Sequence, residues 1–404
     1  MNLSDPIAAL EIGTTRTVIA IGEPLEGGRV RVAAVGTIPS SGVRKSQIVD
    51  ISQARYSVES VLRRLADQSD YSIGQAYLVV SGPQIRTKPV VAQCPVDGGV
   101  VRDEHLAEVD ARSYEMGLPS DREAIELAPI CYKLDDVDGL ASPKDMSGHL
   151  LSLRSICIHG AAPRMADARA AAHAAKLEVP PEKNYFAGTC AAAAVLTPQH
   201  KRDGALVIDL GGGSTAFTAW SGGRLVQAGV VGVGGDHVTN DIRIAFSVSQ
   251  AQAEQLKTTA AAALIRPEDA QQRIAVPDPM PGFKAATISR RALNTVVNAR
   301  LQELFAVIRA KLDEENHLHG LNAGVFLTGG GSALPGIAEL ARAVFGCGVR
   351  IGTLVPEIEG LEADPHPAAC AVFAGLLLLA QQEGRQTSSL FDSVKKVFGG
   401  IFRS

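Results

Sequence analysis

Short apolar runs bounded by polar and glycine residues open the chain and predict a meander of strands at Ile7–Ile12, Thr17–Gly22 and Arg29–Thr37. The spacing of Val58, Val61, Leu62 and Leu65 predicts a helix over Ser52–Asp67, and Ala76–Ser81 reads as a further strand. From Gly82 to His159 the pattern changes. Short strands, a helix near Glu104–Glu115, an acidic loop at Asp135–Asp138 and a polar turn at Ser142–Gly148 suggest an inserted subdomain. Strand Ile156–His159 and helix Met165–Leu177 return to the first unit. A second unit begins near Lys201, and its own insertion, Val238–His319, is helical and Ala/Gln-rich with a proline-containing loop at Val276–Gly282. Two helices of small residues, Phe186–Leu196 and Ala368–Ala380, read as buried.

The polar residues at the strand ends carry the chemistry. Residues 206–215 run Leu-Val-Ile-Asp-Leu-Gly-Gly-Gly-Ser-Thr. A buried strand delivers Asp209 to a turn where Gly211, Gly212 and Gly213 can present several N–H groups to one anion. Ser214 and Thr215 add hydroxyl donors, and Asp209 is placed to hold a phosphate-bound metal directly or through water. A tight hairpin in an ordinary sheet would need the same glycines. The design recurs at residues 8–19, with Glu11 in the place of Asp209 followed by Gly13, Thr14 and Thr15. Two such hairpins suggest a duplicated β-sheet fold gripping one phosphate chain from both sides. A third loop, Val325 to Ile337, carries Gly329, Gly330 and Gly331 and predicts a helix start at Ser332; Gly234-Gly235-Asp236 forms another candidate phosphate-side turn. Neither the Walker lysine loop nor a glycine-x-glycine fingerprint after the first strand is present.

These segments, in this order, resemble the actin, Hsp70 and sugar-kinase superfamily. The first two are similar to its phosphate loops and the third to its adenosine loop. The small-residue helices are similar to the pair that crosses between its lobes. The resemblance implies an α/β, two-lobed actin-like (duplicated RNase H-like) fold that binds ATP and magnesium, the metal held by Glu11 and Asp209, most simply through water. It also gives a role to Glu254 and Lys257. Three residues apart, they share a helix face and would otherwise read as a surface ion pair; in the superfamily an acid and a lysine here reach the sugar and base.

Composition narrows the partners. The chain has 404 residues and a formal charge of −4, room for several domains, and no basic bias or aromatic richness toward nucleic acid. Its six cysteines lack a Cys-x-x-Cys pair and fit reduced thiols in a cytosolic protein. Met-Asn-Leu-Ser-Asp-Pro has no signal-peptide character, and the longest apolar run, Ala368–Ala380, falls short of the roughly 20 residues that span a bilayer.

The last residues carry a separate signal. On a helical wheel Leu390, Phe391, Val394, Val397, Phe398, Ile401 and Phe402 fall within an arc of roughly 140°, while Asp392, Lys395, Lys396 and Arg403 lie outside it. That is the pattern of a helix lying in an anionic membrane interface, although a last helix docked on the protein's own core would also be amphipathic. Gly399 and Gly400 each cost roughly 1 kcal/mol of helix propensity, so the helix is expected to form on contact.

An actin-like core, the insertion at 82–159 and this tail together resemble the FtsA family of bacterial cell-division proteins. Glu11 in Leu10-Glu11-Ile12-Gly13-Thr14, Arg102-Asp103-Glu104-His105 and Lys176–Gly188 are similar to that family's segments, and the likeness covers nearly all of the chain. The implied organisation is a first lobe of 1–81, 160–200 and 366–380 with the insertion 82–159. A second lobe of 201–237 and 320–365 follows, with the insertion 238–319, a linker at 381–389 and a membrane helix at 390–404. The resemblance also implies ATP-dependent self-assembly into filaments at the cytoplasmic face of the inner membrane at mid-cell. There the protein is peripheral, tethers the FtsZ C-terminal peptide and recruits later divisome proteins. Arg290, Arg291 and Arg300, beside Leu301, Leu304, Phe305 and Ile308, are the residues expected to receive that peptide, a solvated helix face being the plainer reading. Catalysis has no obvious agent. Phe186-Ala-Gly-Thr-Cys offers no carboxylate or glutamine, so tight binding with slow turnover is expected. A pilus-assembly platform protein of the PilM type and a kinase or phosphatase of the same superfamily are the alternatives. The tail argues against the first, and the want of a catalytic aspartate against the second.

Overall fold

A computed structural model of the chain describes residues 5–115, 117–277, 286–314 and 317–384. Its two lobes share one plan. In the first, strands lie in the order Val30–Pro39, Arg16–Pro24, Ile7–Ile12, Tyr77–Val80, Asn184–Phe186; in the second, Arg224–Val231, Thr215–Ser221, Ala205–Leu210, Gly324–Thr328 and Val349–Ile351 occupy the same places. Each sheet pairs an antiparallel three-strand meander with two parallel strands. The repeated acid–glycine hairpin is therefore the local sign of a whole duplicated sheet. The first sheet gains a sixth strand, Ile358–Glu359, as the chain returns from the second lobe. Ala205–Leu210 is buried along its length, which accounts for its unbroken apolar run.

Two helices pass between the sheets. Ala187–Val195 is buried at every position; the other covers 371–384 after a 3₁₀ turn at Pro367–Cys370. They cross so closely that a Cβ on Gly375 would lie 1.8 Å from the Cys190 carbonyl oxygen. One apolar cluster runs through them from Val18 and Phe186 to Val207 and Phe326, joining both lobes.

The second helix extends past the expected end at Ala380. Residues 381–384 continue it rather than opening a polar joint, because Gln381 is buried and the Tyr185 hydroxyl donates to Glu383 Oε2 at 2.8 Å. The helix expected from Ser332 begins instead at Ile337. Ser332 lies in a 3₁₀ turn, and Pro335 with the left-handed Gly336 (φ 79°) delays the helix. The insertion at 82–159 is a four-stranded sheet, Arg86–Pro95, Leu150–Ala161, Arg122–Leu134 and Val137–Leu140, with the helix Asp103–Glu115 over it. The other insertion holds the helices Gly235–Phe246, Gln250–Thr259 and Arg290–Glu314 and a short hairpin, Arg273–Ala275 with Thr287–Ser289. The amphipathic residues Leu390–Arg403 lie outside the described residues.

Candidate functional site

The two acid–glycine hairpins bring their turns face to face. Gly13 N–H closes the first turn on the Arg16 carbonyl at 3.0 Å, and Gly211 N–H closes the second on the Asp209 carbonyl at 3.2 Å. The approach is tight: a Cβ on Gly212 would stand 2.4 Å from Thr15 Cγ2, and one on Gly213 2.3 Å from Thr14 Oγ1. Between the lobes opens a cavity of about 520 Å³.

Most of the residues singled out from sequence meet on this cavity. Gly13, Thr14, Thr15, Gly211, Gly212 and Ser214 line it where the two turns meet. Gly234 and Gly235 also line it; Gly235 and Asp236 donate backbone N–H groups to the carbonyls of Gly211 and Gly212, both at 2.9 Å, so this turn braces the second hairpin. Gly329, Gly330 and Gly331 line it too. Gly329 has φ 78° and sits where a Cβ would be 2.7 Å from Asp209 Oδ1, a place only glycine can take. Three expected residues have other duties. Gly213 packs against Thr14 and Lys45, the Ser332 hydroxyl donates to the Gly329 carbonyl at 2.7 Å, and the buried Thr215 hydroxyl donates to the Val233 carbonyl at 2.8 Å.

Glu254 and Lys257 lie on the wall, paired at 2.7 Å, with Lys257 Nζ also donating to Thr239 Oγ1 at 2.9 Å and to the Gly235 carbonyl. Beside them Leu301, Leu304, Leu334 and Ile337 form an apolar face. Apolar walls with a few placed polar groups suit a flat heterocycle and its sugar.

The electrostatics mark where a cation belongs. Burial, then the charge of Glu11, pushes Asp209 up to about 7, against the opposing effects of the Thr328 hydroxyl at 3.2 Å and of Arg16. Burial also raises Glu11, with Arg16 opposing. Glu11 Oε2 is buried and has no hydrogen-bond partner in the protein. Buried polar oxygens are normally satisfied, so an orphaned carboxylate oxygen facing a second carboxylate fits a missing cation. Among the described residues no group of three or more His, Cys, Asp or Glu could hold a metal. Two carboxylates and a set of phosphates are what magnesium uses.

Several cavity residues escaped the sequence reading. Arg16 lines it with its guanidinium donating to the Ala369 carbonyl at 2.5 Å. Ser46, Gln47 and Gln84 also line it, Gln47 donating to Gln84 at 3.2 Å. Outside the cavity lining, Glu126, from the insertion, accepts from Phe186 N–H and the Thr189 hydroxyl, both at 2.6 Å, and burial raises it to about 7. It thus brings a carboxylate to the first crossing helix, where residues 186–190 have none, but spends it on the helix start.

The three arginines do not form one groove. Arg300 is clamped on Asp241 at 2.6 Å and 3.1 Å and on Glu303 at 2.6 Å. It lies about 15 Å along its helix from Arg290. Leu301, Leu304, Phe305 and Ile308 are not a peptide floor either: all four are buried in the second lobe's core, their periodicity being that of a core stripe.

Comparison with known proteins decides the family. A sequence profile described as "SHS2 domain inserted in FTSA" matches residues 82–159, and one described as "Cell division protein FtsA" matches residues 206–372, more than half of the chain between them. The chain belongs to the FtsA family. It is an actin-like cell-division protein. It is 28% identical to the cell division protein FtsA of Pseudomonas aeruginosa over 93% of this chain and 89% of that one. Its fold is shared with the PilM–PilN type IV pilus biogenesis complex (TM-score 0.63, 15% identity, 93% of this chain and 98% of the other). It is also shared with MreB5 of Spiroplasma citri bound to ADP (TM-score 0.54, 14% identity, 96% and 99%). The insertion at 82–159 and the duplicated sheets therefore sit in an FtsA-family chain with an actin-like fold.

Proposed function

We propose that this FtsA-family chain binds ATP with magnesium between its lobes. We propose further that it assembles into filaments at the cytoplasmic face of the inner membrane at mid-cell, tethers FtsZ there and recruits later divisome proteins. The observation that carries the nucleotide part is the convergence of two glycine turns and two carboxylates on one cavity, with Glu11 Oε2 left without a partner. Glu11 and Asp209 would hold magnesium, with water completing its shell. The turn N–H groups with Thr14 and Ser214 would take the phosphates. Gly329–Gly331 with the apolar wall would take the base, and Glu254 and Lys257 the sugar edge. Magnesium supplies charge neutralisation of the phosphates. The carboxylates on the cavity wall among the described residues are Glu11, Asp209 and Glu254. The first two face the metal position and the third is paired with Lys257, which supports slow turnover.

Among the described residues no helix is long and apolar enough to cross a membrane. Peripheral attachment through Leu390, Phe391, Val394, Val397, Phe398, Ile401 and Phe402, with Lys395, Lys396 and Arg403 toward lipid phosphates, rests on the sequence pattern. Residues 385–389 stand between the described helix and Leu390 in the sequence. At about 3.3 Å each they reach at most roughly 17 Å, which keeps the body near the bilayer. Single anchors of this kind bind weakly, and linking them in a filament strengthens attachment by intramolecular rebinding. For the FtsZ peptide, the exposed Arg291 and the neighbouring Arg290 remain the proposed contacts.

The test is co-sedimentation with anionic liposomes, with and without ATP and magnesium. The full chain is expected to pellet, more strongly with nucleotide, and a chain ending at Gln386 to stay in solution. Equal pelleting of both chains rules out the anchor. Filaments of the full chain on a lipid monolayer with ATP would support assembly; their absence would oppose it.

A further inference from the structure

A turn outside the two phosphate hairpins touches both of them. The short hairpin Val43–Arg44 with Gln47–Ile48 carries Lys45 and Ser46 at its tip. Ser46 N–H donates to Thr14 Oγ1 at 2.7 Å, and Ser46 Oγ lies 2.8 Å from Ser214 Oγ and 3.4 Å from Thr14 Oγ1. Three hydroxyls, one from each hairpin and one from the tip, therefore converge at the seam between the lobes. Gly213 makes room for the tip, since a Cβ there would stand 2.7 Å from Lys45 Cα and 2.9 Å from Ser46 N.

The tip is held in a costly shape on a fixed base. Lys45 has φ 51° and Ser46 φ 56°, left-handed values at two successive non-glycine residues. Such residues persist where their surroundings over-determine them, and they cluster at binding and switch sites. At the base, Val49 and Asp50 both donate to the Gly42 carbonyl, at 2.8 Å and 3.2 Å. Asp50 then caps the helix Ile51–Gln68 through Gln53 N–H at 3.0 Å. The hairpin is thus anchored to the first lobe while its tip is aimed at the turns of both.

We propose that Ser46 is a third arm of the phosphate clamp, contacting the terminal phosphate of a bound nucleoside triphosphate and so setting the preference for triphosphate over diphosphate. The inference rests on the nucleotide reading above. Ser46 lines the cavity, and the side chains it touches there are the hydroxyls of the two phosphate turns, not Glu254, Lys257 or the apolar wall of the base end. A group that displaces those hydroxyls from one another must offer acceptors to all three at once. A terminal phosphate does this with three unshared oxygens; ADP carries such a group too, but one phosphate nearer the base end, so the triphosphate is the nucleotide that extends one unit further toward Ser46. Hydrogen bonds to a charged acceptor are among the stronger ones.

The experiment is calorimetric titration of the full chain, with magnesium, using ADP and the non-hydrolysable β,γ-imido analogue of ATP. S46A is expected to lower affinity for the triphosphate analogue about tenfold and to leave ADP within about twofold. S46G removes the same hydroxyl while favouring the left-handed turn, and is expected to behave like S46A. Equal weakening of both nucleotides, or no change in either, would overturn the proposal and leave Ser46 as a turn residue. Binding of neither nucleotide to the unaltered chain would overturn the nucleotide reading itself.

Discussion

Gly375→Ala is expected to destabilise the chain by roughly 3 kcal/mol, at the upper end of what overpacking in a core costs. The added methyl would lie 1.8 Å from the Cys190 carbonyl oxygen, 2.7 Å from its carbon and 3.2 Å from Ala194 N. All three are backbone atoms of the facing helix, so no side chain can swing aside. The helices must part, loosening the cluster that ties Val18 and Phe186 to Val207 and Phe326. The helix propensity gained by replacing glycine, about 1 kcal/mol, is too small to offset this. Gly384 is the matched control. It lies in the same helix with nothing within 4 Å of its added Cβ, so Gly384→Ala should be neutral or slightly stabilising. Urea midpoints for both variants check the pair; equal midpoints would show that the crossing is not as close as the backbone places it.

Asp209→Asn is expected to weaken binding of magnesium-ATP by about a hundredfold while stabilising the ligand-free chain above neutral pH. The carboxyl sits at about 7 in the folded chain, against 3.8 ordinarily. A raised value means that its favourable contribution is complete below about pH 4 and is lost as pH rises through 7. Between those limits each such group lowers stability by up to about 1.4 kcal/mol per pH unit. Glu126, also at about 7, and Glu11 shift in the same direction. The ligand-free chain should therefore lose stability from pH 5 to pH 8, and the slope should be shallower in the Asn variant. Magnesium needs the carboxylate, so its uptake with ATP should strengthen over the same range. Urea midpoints across pH, read beside nucleotide titrations, separate the two effects. A flat stability profile in the unaltered chain would remove the strain assigned to this carboxylate pair.

Local chemistry explains which parts of the site could be read from sequence. An acid, glycines and hydroxyls in a row after a buried strand need no tertiary information, so both hairpins were legible, as was the Gly329–Gly331 loop. Ser46 was not, because its left-handed turn is built from Lys45 and Ser46 and carries none of the glycine that normally signals one. Glu126 was hidden for another reason: it is one residue of a strand in the insertion and reaches the crossing helix only through the packing of two subdomains. The apolar stripe from Leu301 to Ile308 was visible, but periodicity reports a buried face without saying what covers it. The core of the second lobe does. Arg300 lies beside that stripe, and its pairing with Asp241, 59 residues away in the chain, needed the packed structure to be seen.

The most direct measurement is calorimetric titration of the full chain with ATP in the presence and absence of magnesium. Saturable binding at one site per chain, strengthened by magnesium, is the predicted result; no uptake of ATP with magnesium present would contradict the account.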